Sequence, residues 1–321
     1  MTPKVSVCMP TFNSENFLSE AIESVLKQSY TDFELIVSDD CSSDETVAIA
    51  KRYAEIDRRI KIRANEQNVG QARNLNLCLQ HAKGEYIKFV FSDDVLVSKD
   101  ALKKMVAVLD DNDEIALVAS ARYVIDGRSN VIDLLSEYRG KIGYCGSRII
   151  QDCLVEQSNR IGEPTVVLFR KKHSSRGFDV RYKQTVDLEM WAHLLEQGNF
   201  AYINEPLCAF RLHGHQETSR NLSGNFLLIE ESIMFLEAYA DKPYIDLSRI
   251  LRGYMGYVPV YSIWKLYKKG RISRQEAIEK IRERYNFRKF VLYSPLFRLF
   301  KLLRRYRNQI RKIVVKASVS Y

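Results

Sequence analysis

The chain has 321 residues, 46% of them hydrophobic and 28% charged, with a formal net charge of +9. This balance excludes a disordered chain and suits one large α/β domain with an appendage. No apolar stretch reaches the roughly 18 residues a membrane-spanning helix needs, and the N-terminal residues lack a signal-peptide pattern.

Val5-Ser6-Val7-Cys8-Met9 is a β-rich run stopped by Pro10 and reads as a first strand. Residues 15–27 place Phe17, Leu18, Ala21, Ile22, Val25 and Leu26 at helical spacing. Residues 33–37 form a second strand ending in Ser38-Asp39-Asp40, followed by a helix over 44–53 with acidic residues at its start. A short strand at 60–62, a helix over 70–82 and a strand at 86–91 lead to Ser92-Asp93-Asp94. A helix over 99–109 and a strand at 115–119 complete the alternation. Such alternation predicts a Rossmann-like, mostly parallel sheet flanked by helices, with ligands bound beyond the carboxyl ends of the strands. Pro10-Thr11-Phe12-Asn13, Asp39-Asp40 and Asp93-Asp94 all fall there.

Residues 121–160 lack periodicity and read as a connection. A strand at 165–169, a helix over 185–196 and a last strand at 208–212, followed by His213, come next. From about 223 onward the pattern is helical. Residues 241–321 hold 21 Lys+Arg against 5 Asp+Glu, whereas the first 240 hold 28 against 35. The tail therefore carries the surplus positive charge, and its apolar stripe (Leu296, Leu299, Phe300, Leu303) opposite basic residues suits an anionic membrane surface. Docking of that stripe on the catalytic domain is the alternative. Nucleic acid is not expected, since no zinc finger, RNP-like aromatic motif or basic heptad helix occurs. The six cysteines form no C-x-x-C pair, and free thiols without an export signal point to the cytoplasm.

Several residues could carry chemistry. Adjacent carboxylates at Asp93 and Asp94 repel unless a cation or hydrogen-bond donor lies between them, and Mg²⁺ is commonly held by one or two carboxylates plus substrate phosphates. A turn or helix cap is the plainer reading. Asp39 and Asp40 could accept hydrogen bonds from a base or ribose, or simply shape a turn. Gly70 and Arg73 open a helix whose N-terminus suits a diphosphate, with a surface salt bridge as the alternative. No G-x-G-x-x-G is present, which disfavours a dinucleotide-binding dehydrogenase. Asp187 and Glu189 lie two apart on a helix and point to different faces, so one faces the cleft; Asp187, near the helix start, is the better general base, while an acidic N-terminal turn is the plainer reading. His213 could complete a metal site or lie on the surface.

In this order the segments resemble the inverting family-2 glycosyltransferases of GT-A fold, over about residues 4–215. Val5 to Asn13 looks like that family's first strand and nucleotide loop, and Val37-Ser38-Asp39-Asp40-Cys41-Ser42-Ser43-Asp44 like its V-D-D-G-S-x-D segment. Asn68-x-Gly70-x-x-Arg73-Asn74 looks like its N-x-G-x-x-x-A-R-N segment, one residue shorter, and Val186-Asp187-Leu188-Glu189-Met190-Trp191 like E-D-x-E-x-W. Phe210-Arg211-Leu212-His213 resembles Y-R-x-H. Two departures bear on chemistry: Phe91 replaces the first Asp of Asp-x-Asp, and Val186 the Glu of the E-D pair.

The resemblance implies a GT-A catalytic domain over 1–220 and a helical, basic extension over 221–321. Nucleotide-sugar binding falls to 1–120, and the acceptor and base to 121–220. It implies a nucleotide-sugar donor, a saccharide or lipid-linked acceptor, a divalent cation (Mg²⁺ or Mn²⁺), and work at the cytoplasmic face of the membrane in cell-surface polysaccharide synthesis. Pro10, Thr11, Asn13, Asp39, Asp40, Gly70, Arg73, Asp93 and Asp94 are the expected donor-site residues, Asp93, Asp94 and His213 the expected metal ligands, and Asp187 the base. A degenerate copy that binds without turnover is the rival that Phe91 motivates.

Overall fold

The structure is a computed structural model that describes residues 2–138, 142–156, 158–214, 227–239, 241–246, 267, 270–277 and 279. Residue contacts divide the chain into two compact units, one of residues 1–150 with 159–216 and one of 151–158 with 217–321.

In the first unit the central strand β1 (Val5–Thr11) pairs in parallel with β2 (Phe33–Asp39) on one side and β4 (Tyr86–Phe89) on the other. β3 (Ile60–Ala64) extends the β2 side. The chain thus fills one side of β1 first and crosses to the other with β4, so the crevice between β1 and β4 is a topological switch point, where such sheets bind ligands. β1 and β2 read as apolar runs because helices cover both faces of the sheet. α1 (Leu18–Leu26) buries Leu18, Ala21, Ile22 and Val25, a 3.6-residue stripe. α2 (Thr46–Ile56), α3 (Gln71–His81) and α4 (Ala101–Asp110) form the other crossovers.

Beyond β4 the sheet continues through β9 (Val167–Arg170), β6 (Ile115–Asp126), β10 (Asn199–Leu212) and the short β5 (Val95–Leu96). β9 runs antiparallel to β4 and β6, and β6 is parallel to β10, so six of the ten strands point the same way. This is the expected mostly parallel α/β sheet. α6 (Val186–Leu195) precedes β10 and buries Trp191 completely.

The reading of 121–160 as a plain connection is corrected. β6 runs on to Asp126, and β7 (Val131–Leu135), β8 (Ile142–Tyr144) and α5 (Gly146–Glu156) follow. β7 and β8 are five and three residues long, and both pairings contain register shifts, so period-two alternation has no room to develop. α5 hides its helical stripe behind a cysteine: Ile149, Ile150, Cys153 and Leu154 are all buried.

In the second unit α7 (Leu227–Tyr239) carries buried Phe235 and Tyr239, whose ring centroids lie 4.9 Å apart. Gln151 holds Asp246 through two backbone hydrogen bonds. His215 and residues 280–321, with the tail stripe, lie outside the described residues.

Candidate active site

The end of β1 and the loop after β2 form one hydrogen-bonded unit. Thr11 Oγ1 donates to Asp39 Oδ1 (3.0 Å), and Ser42 donates to the same carboxylate through its N–H (2.8 Å) and hydroxyl (2.5 Å). Three of the roughly four lone-pair positions of Asp39 are thereby filled, and one remains. Asn13, at φ 49, accepts from Ser43 N–H through Oδ1 (2.9 Å) and donates its own N–H to Ser42 Oγ (2.9 Å). Cys41 has φ 64, a left-handed conformation that explains the glycine of the family segment it resembles.

Asp40 takes a different part. Its carboxylate accepts from the N–H groups of Val69 (2.8 Å) and Gly70 (2.9 Å) and from Asn65 Nδ2 (2.9 Å). It is buried, and it shapes the entry to α3. Gly70 has φ 85, which a side chain would strain. Arg73, in the first turn of α3, is exposed and makes no ion pair among the described residues, so its guanidinium is available to an anion.

The loop after β4 separates its two carboxylates. Asp93 keeps 26% of its side chain exposed and places Oδ2 3.0 Å from His213 Nε2. Asp94 is buried, with Oδ2 accepting from Thr165 Oγ1 (2.6 Å) and Oδ1 from the Arg211 N–H (3.0 Å). Burial, and then the neighbouring Asp93 charge, hold the Asp94 carboxyl well above the usual range. Of the three expected metal ligands, the structure brings Asp93 and His213 together and ties Asp94 inward. Among the described residues no group of three or more His, Cys, Asp or Glu could hold a metal. Two ligands still fit a cation shared with a diphosphate, since Mg²⁺ is held by one or two carboxylates plus substrate phosphates and Mn²⁺ likewise takes carboxylate and water oxygens, with the imidazole as an added nitrogen ligand. Phe91 contributes its backbone alone, donating its N–H to Thr165 Oγ1 (3.0 Å) and accepting from the Asp94 N–H through its carbonyl (3.0 Å).

Arg211 braces this corner from beneath. Its buried guanidinium lies 4.7 Å from the Phe17 ring centroid and donates to Asp93 O (2.6 Å), Ser129 Oγ (2.8 Å) and Glu20 Oε2 (2.6 Å).

Asp187 opens α6 and is half-buried. Its Oδ1 accepts from the Leu188 N–H (2.7 Å) and its Oδ2 from Asn159 Nδ2 (2.8 Å). Burial pushes its pKa up to about 7, the Glu163 carboxylate adds to the rise, and the two hydrogen bonds oppose it. Glu189 is buried and held by Arg176 through two bonds of 2.7 Å, so it is structural. The two acids therefore meet different partners, as suits positions two apart on a helix.

Residues 159–165 join the two halves of the site. Thr165 holds Asp94, Gly162 O accepts from Trp191 Nε1 (3.0 Å), and Asn159 reaches Asp187. Buried Lys88 donates to Thr165 O, and burial lowers its pKa. Asn159, Glu163 and Thr165 were not singled out in the sequence; the Asn159, Gly162 and Pro164 punctuation was the available signal. A cavity of about 810 Å³ at the other edge of the sheet is lined by Lys171 and Arg176 among others, but these already bind Ala82 O and Glu189.

The sequence model of glycosyl transferase family 2 matches residues 6–177, more than half of the chain. The chain belongs to glycosyltransferase family 2. The glycosyltransferase is 31% identical over 221 residues to the UDP-Glc:alpha-D-GlcNAc-diphosphoundecaprenol beta-1,3-glucosyltransferase WfgD of Escherichia coli, across 69% of this chain and 80% of WfgD. Its fold is similar to Staphylococcus aureus TarS 1–349 in complex with UDP, with a TM-score of 0.64 and 21% identity over 87% of this chain and 78% of that one. It is also similar to the mannosyltransferase PcManGT of Pyrobaculum calidifontis, in complex with GDP-Man and Mn²⁺, with a TM-score of 0.60 and 18% identity over 98% and 87% of the two chains. The GT-A fold and the family are thus as the sequence implied.

Proposed function

We propose that this glycosyltransferase moves a sugar from a UDP-sugar to a hydroxyl of a saccharide or lipid-linked acceptor, with inversion, during cell-surface polysaccharide synthesis. The observation that carries the reading is the placement of Asp187: a half-buried carboxyl at the start of α6, tied by Asn159 to the segment whose Thr165 holds Asp94, with burial pushing its pKa up to about 7. A general base is most effective with its pKa near the working pH. Glu189 is committed to Arg176, so of the two acids on α6 Asp187 is the one left to take a proton, which suits a single displacement.

In this reading Pro10, Thr11, Asn13 and Asp39 receive the uridine. Asp40 and Gly70 shape the start of α3, and Arg73 there meets the diphosphate. Asp93 and His213 would hold a divalent cation, which supplies positive charge against the departing diphosphate. Asp187 takes the proton of the acceptor hydroxyl as that oxygen attacks the anomeric carbon. The acceptor is recognised within 121–220, and the catalytic domain is residues 1–220. The UDP-linked donor of WfgD and the UDP bound by TarS support the nucleotide assignment. No helix among the described residues is long and apolar enough to cross a membrane. The basic segment 221–321 brings the enzyme to the cytoplasmic membrane face, where lipid-linked acceptors lie.

The test is turnover of UDP-glucose and UDP-N-acetylglucosamine with Mg²⁺ or Mn²⁺, read as UDP release. Asp187→Asn should cut release by about 10²–10⁴-fold while leaving UDP binding near the parental value. Release at the parental rate in Asp187→Asn would overturn the base assignment.

A further inference from the structure

Four hydrogen bonds saturate the side chain of Asn159. Its Oδ1 accepts from the N–H groups of Ile161 (3.1 Å) and Gly162 (2.9 Å), and its Nδ2 donates to Gly162 O (2.9 Å) and to Asp187 Oδ2 (2.8 Å). Only the oxygen can accept the two backbone N–H groups, so the amide cannot flip, and a donor must face Asp187. Gly162 O is gripped a second time by Trp191, four residues after Asp187 on the same face of α6. The loop is thus docked on the helix that carries the base. With Leu188 N–H on Oδ1 and Asn159 on Oδ2, two lone pairs of the Asp187 carboxylate remain for an incoming hydroxyl.

We infer that Asn159 is a positioning residue for the base, fixing the orientation of the Asp187 carboxylate and favouring its proton-accepting form. This rests on Asp187 being the base. A fixed donor can bond a carboxylate oxygen but not a carboxyl O–H that points at it, so Asn159 selects the ionised state. The charged group acting on Asp187 from the loop is Glu163, itself paired with the buried Arg122 of β6. On α6, Glu189 is neutralised by Arg176.

Two variants separate tuning from folding. Asn159→Ala removes both the turn and the donor. Asn159→Asp keeps an oxygen for the N–H groups of Ile161 and Gly162 but sets a carboxylate where the donor was. The side-chain carboxyls of the full chain, labelled with ¹³C at aspartate, are titrated by NMR, with Asp187→Asn identifying the Asp187 resonance. The parental midpoint lies at about 7. In Asn159→Ala it should rise by about one unit, and in Asn159→Asp by more, as a like charge demands. UDP release from UDP-N-acetylglucosamine should fall by about tenfold on the acidic side of the profile, with the KM for donor unchanged. Parental midpoints in both variants, or a changed KM with unchanged kcat, would overturn the inference. Release retained by Asp187→Asn would instead overturn the base reading, and this inference with it.

Discussion

Asp93 Oδ2 lies 3.0 Å from His213 Nε2, so an acid–imidazole pair joins the loop after β4 to the end of β10, beside the Arg211 bonds to Asp93 and Asp94. The family pattern supplies a further Asp where this chain has Phe91, and His213 is the neighbour that can stand in for it. Asp93→Ala should therefore weaken UDP binding much more in Mg²⁺ or Mn²⁺ than in chelator, and His213→Ala should reproduce part of that loss. Titration calorimetry with and without metal reads the difference. Equal losses in both conditions would make the pair structural.

The raised Asp187 pKa has two consequences of definite sign. As a base the group works only when ionised, so turnover should be lost as pH falls below about 7. Asp187→Asn should cut it by about 10²–10⁴-fold. Glu163→Gln removes a negative neighbour and should shift the acidic limb to lower pH. For stability, the folded pKa of about 7 exceeds the unfolded value of about 4, so the proton binds the folded chain more tightly. That contribution is complete below the unfolded value and is lost as pH rises through the folded one. Asn carries no such linkage. The Tm of Asp187→Asn relative to the parent should therefore climb between pH 4 and pH 8. A Tm difference that does not vary with pH would contradict a raised carboxyl pKa at 187.

The order of strands up to β4 was legible because each short apolar run ends in Pro, Ser or Asp and is followed by a helical stripe. The same punctuation located Asp39, Asp93 and Asp187 at element ends. The sequence could not separate Asp39 from Asp40, or Asp93 from Asp94. Asp39 bonds Thr11 and Ser42, and Asp93 keeps part of its side chain exposed, whereas Asp40 and Asp94 are held by partners about 25 to 120 residues away, Asn65 and Val69 for Asp40, Thr165 and Arg211 for Asp94. Local pattern carries no record of such partners. The Asn159–Asp187 bond was hidden for the same reason, lying across 28 residues of irregular chain.

Gly162 holds φ at +120°, and a Cβ there would meet Val166 Cγ2 at 2.4 Å and Arg122 Nη1 at 3.4 Å. Gly162→Ala should cost about 1–3 kcal/mol of stability from backbone strain. Because Gly162 O anchors both Asn159 and Trp191, the change should also move the acidic limb of turnover upward. Urea unfolding and a pH–rate profile check the two effects. A variant as stable as the parent would mean that the loop readily finds another conformation.

The last expectation concerns the basic tail. After Glu283 no acidic residue occurs, while Arg298, Lys301, Arg304, Arg305, Arg311 and Lys312 all follow. Ser294-Pro295 offers an N-cap and first helical residue, and Leu296, Leu299, Phe300, Leu303, Tyr306, Ile310, Ile313 and Val314 share one face at helical spacing. An apolar face opposite a basic one should lie in the plane of an anionic bilayer, each Lys or Arg near the surface adding about 1 kcal/mol. The full chain should therefore pellet with vesicles containing anionic lipid at low salt, and release as salt screens the attraction. A chain truncated after Tyr285 should stay in the supernatant and keep its turnover of UDP-sugar. Equal pelleting of the two chains would remove the tail from membrane binding. Loss of folding on truncation would show instead that the stripe packs on the rest of the chain.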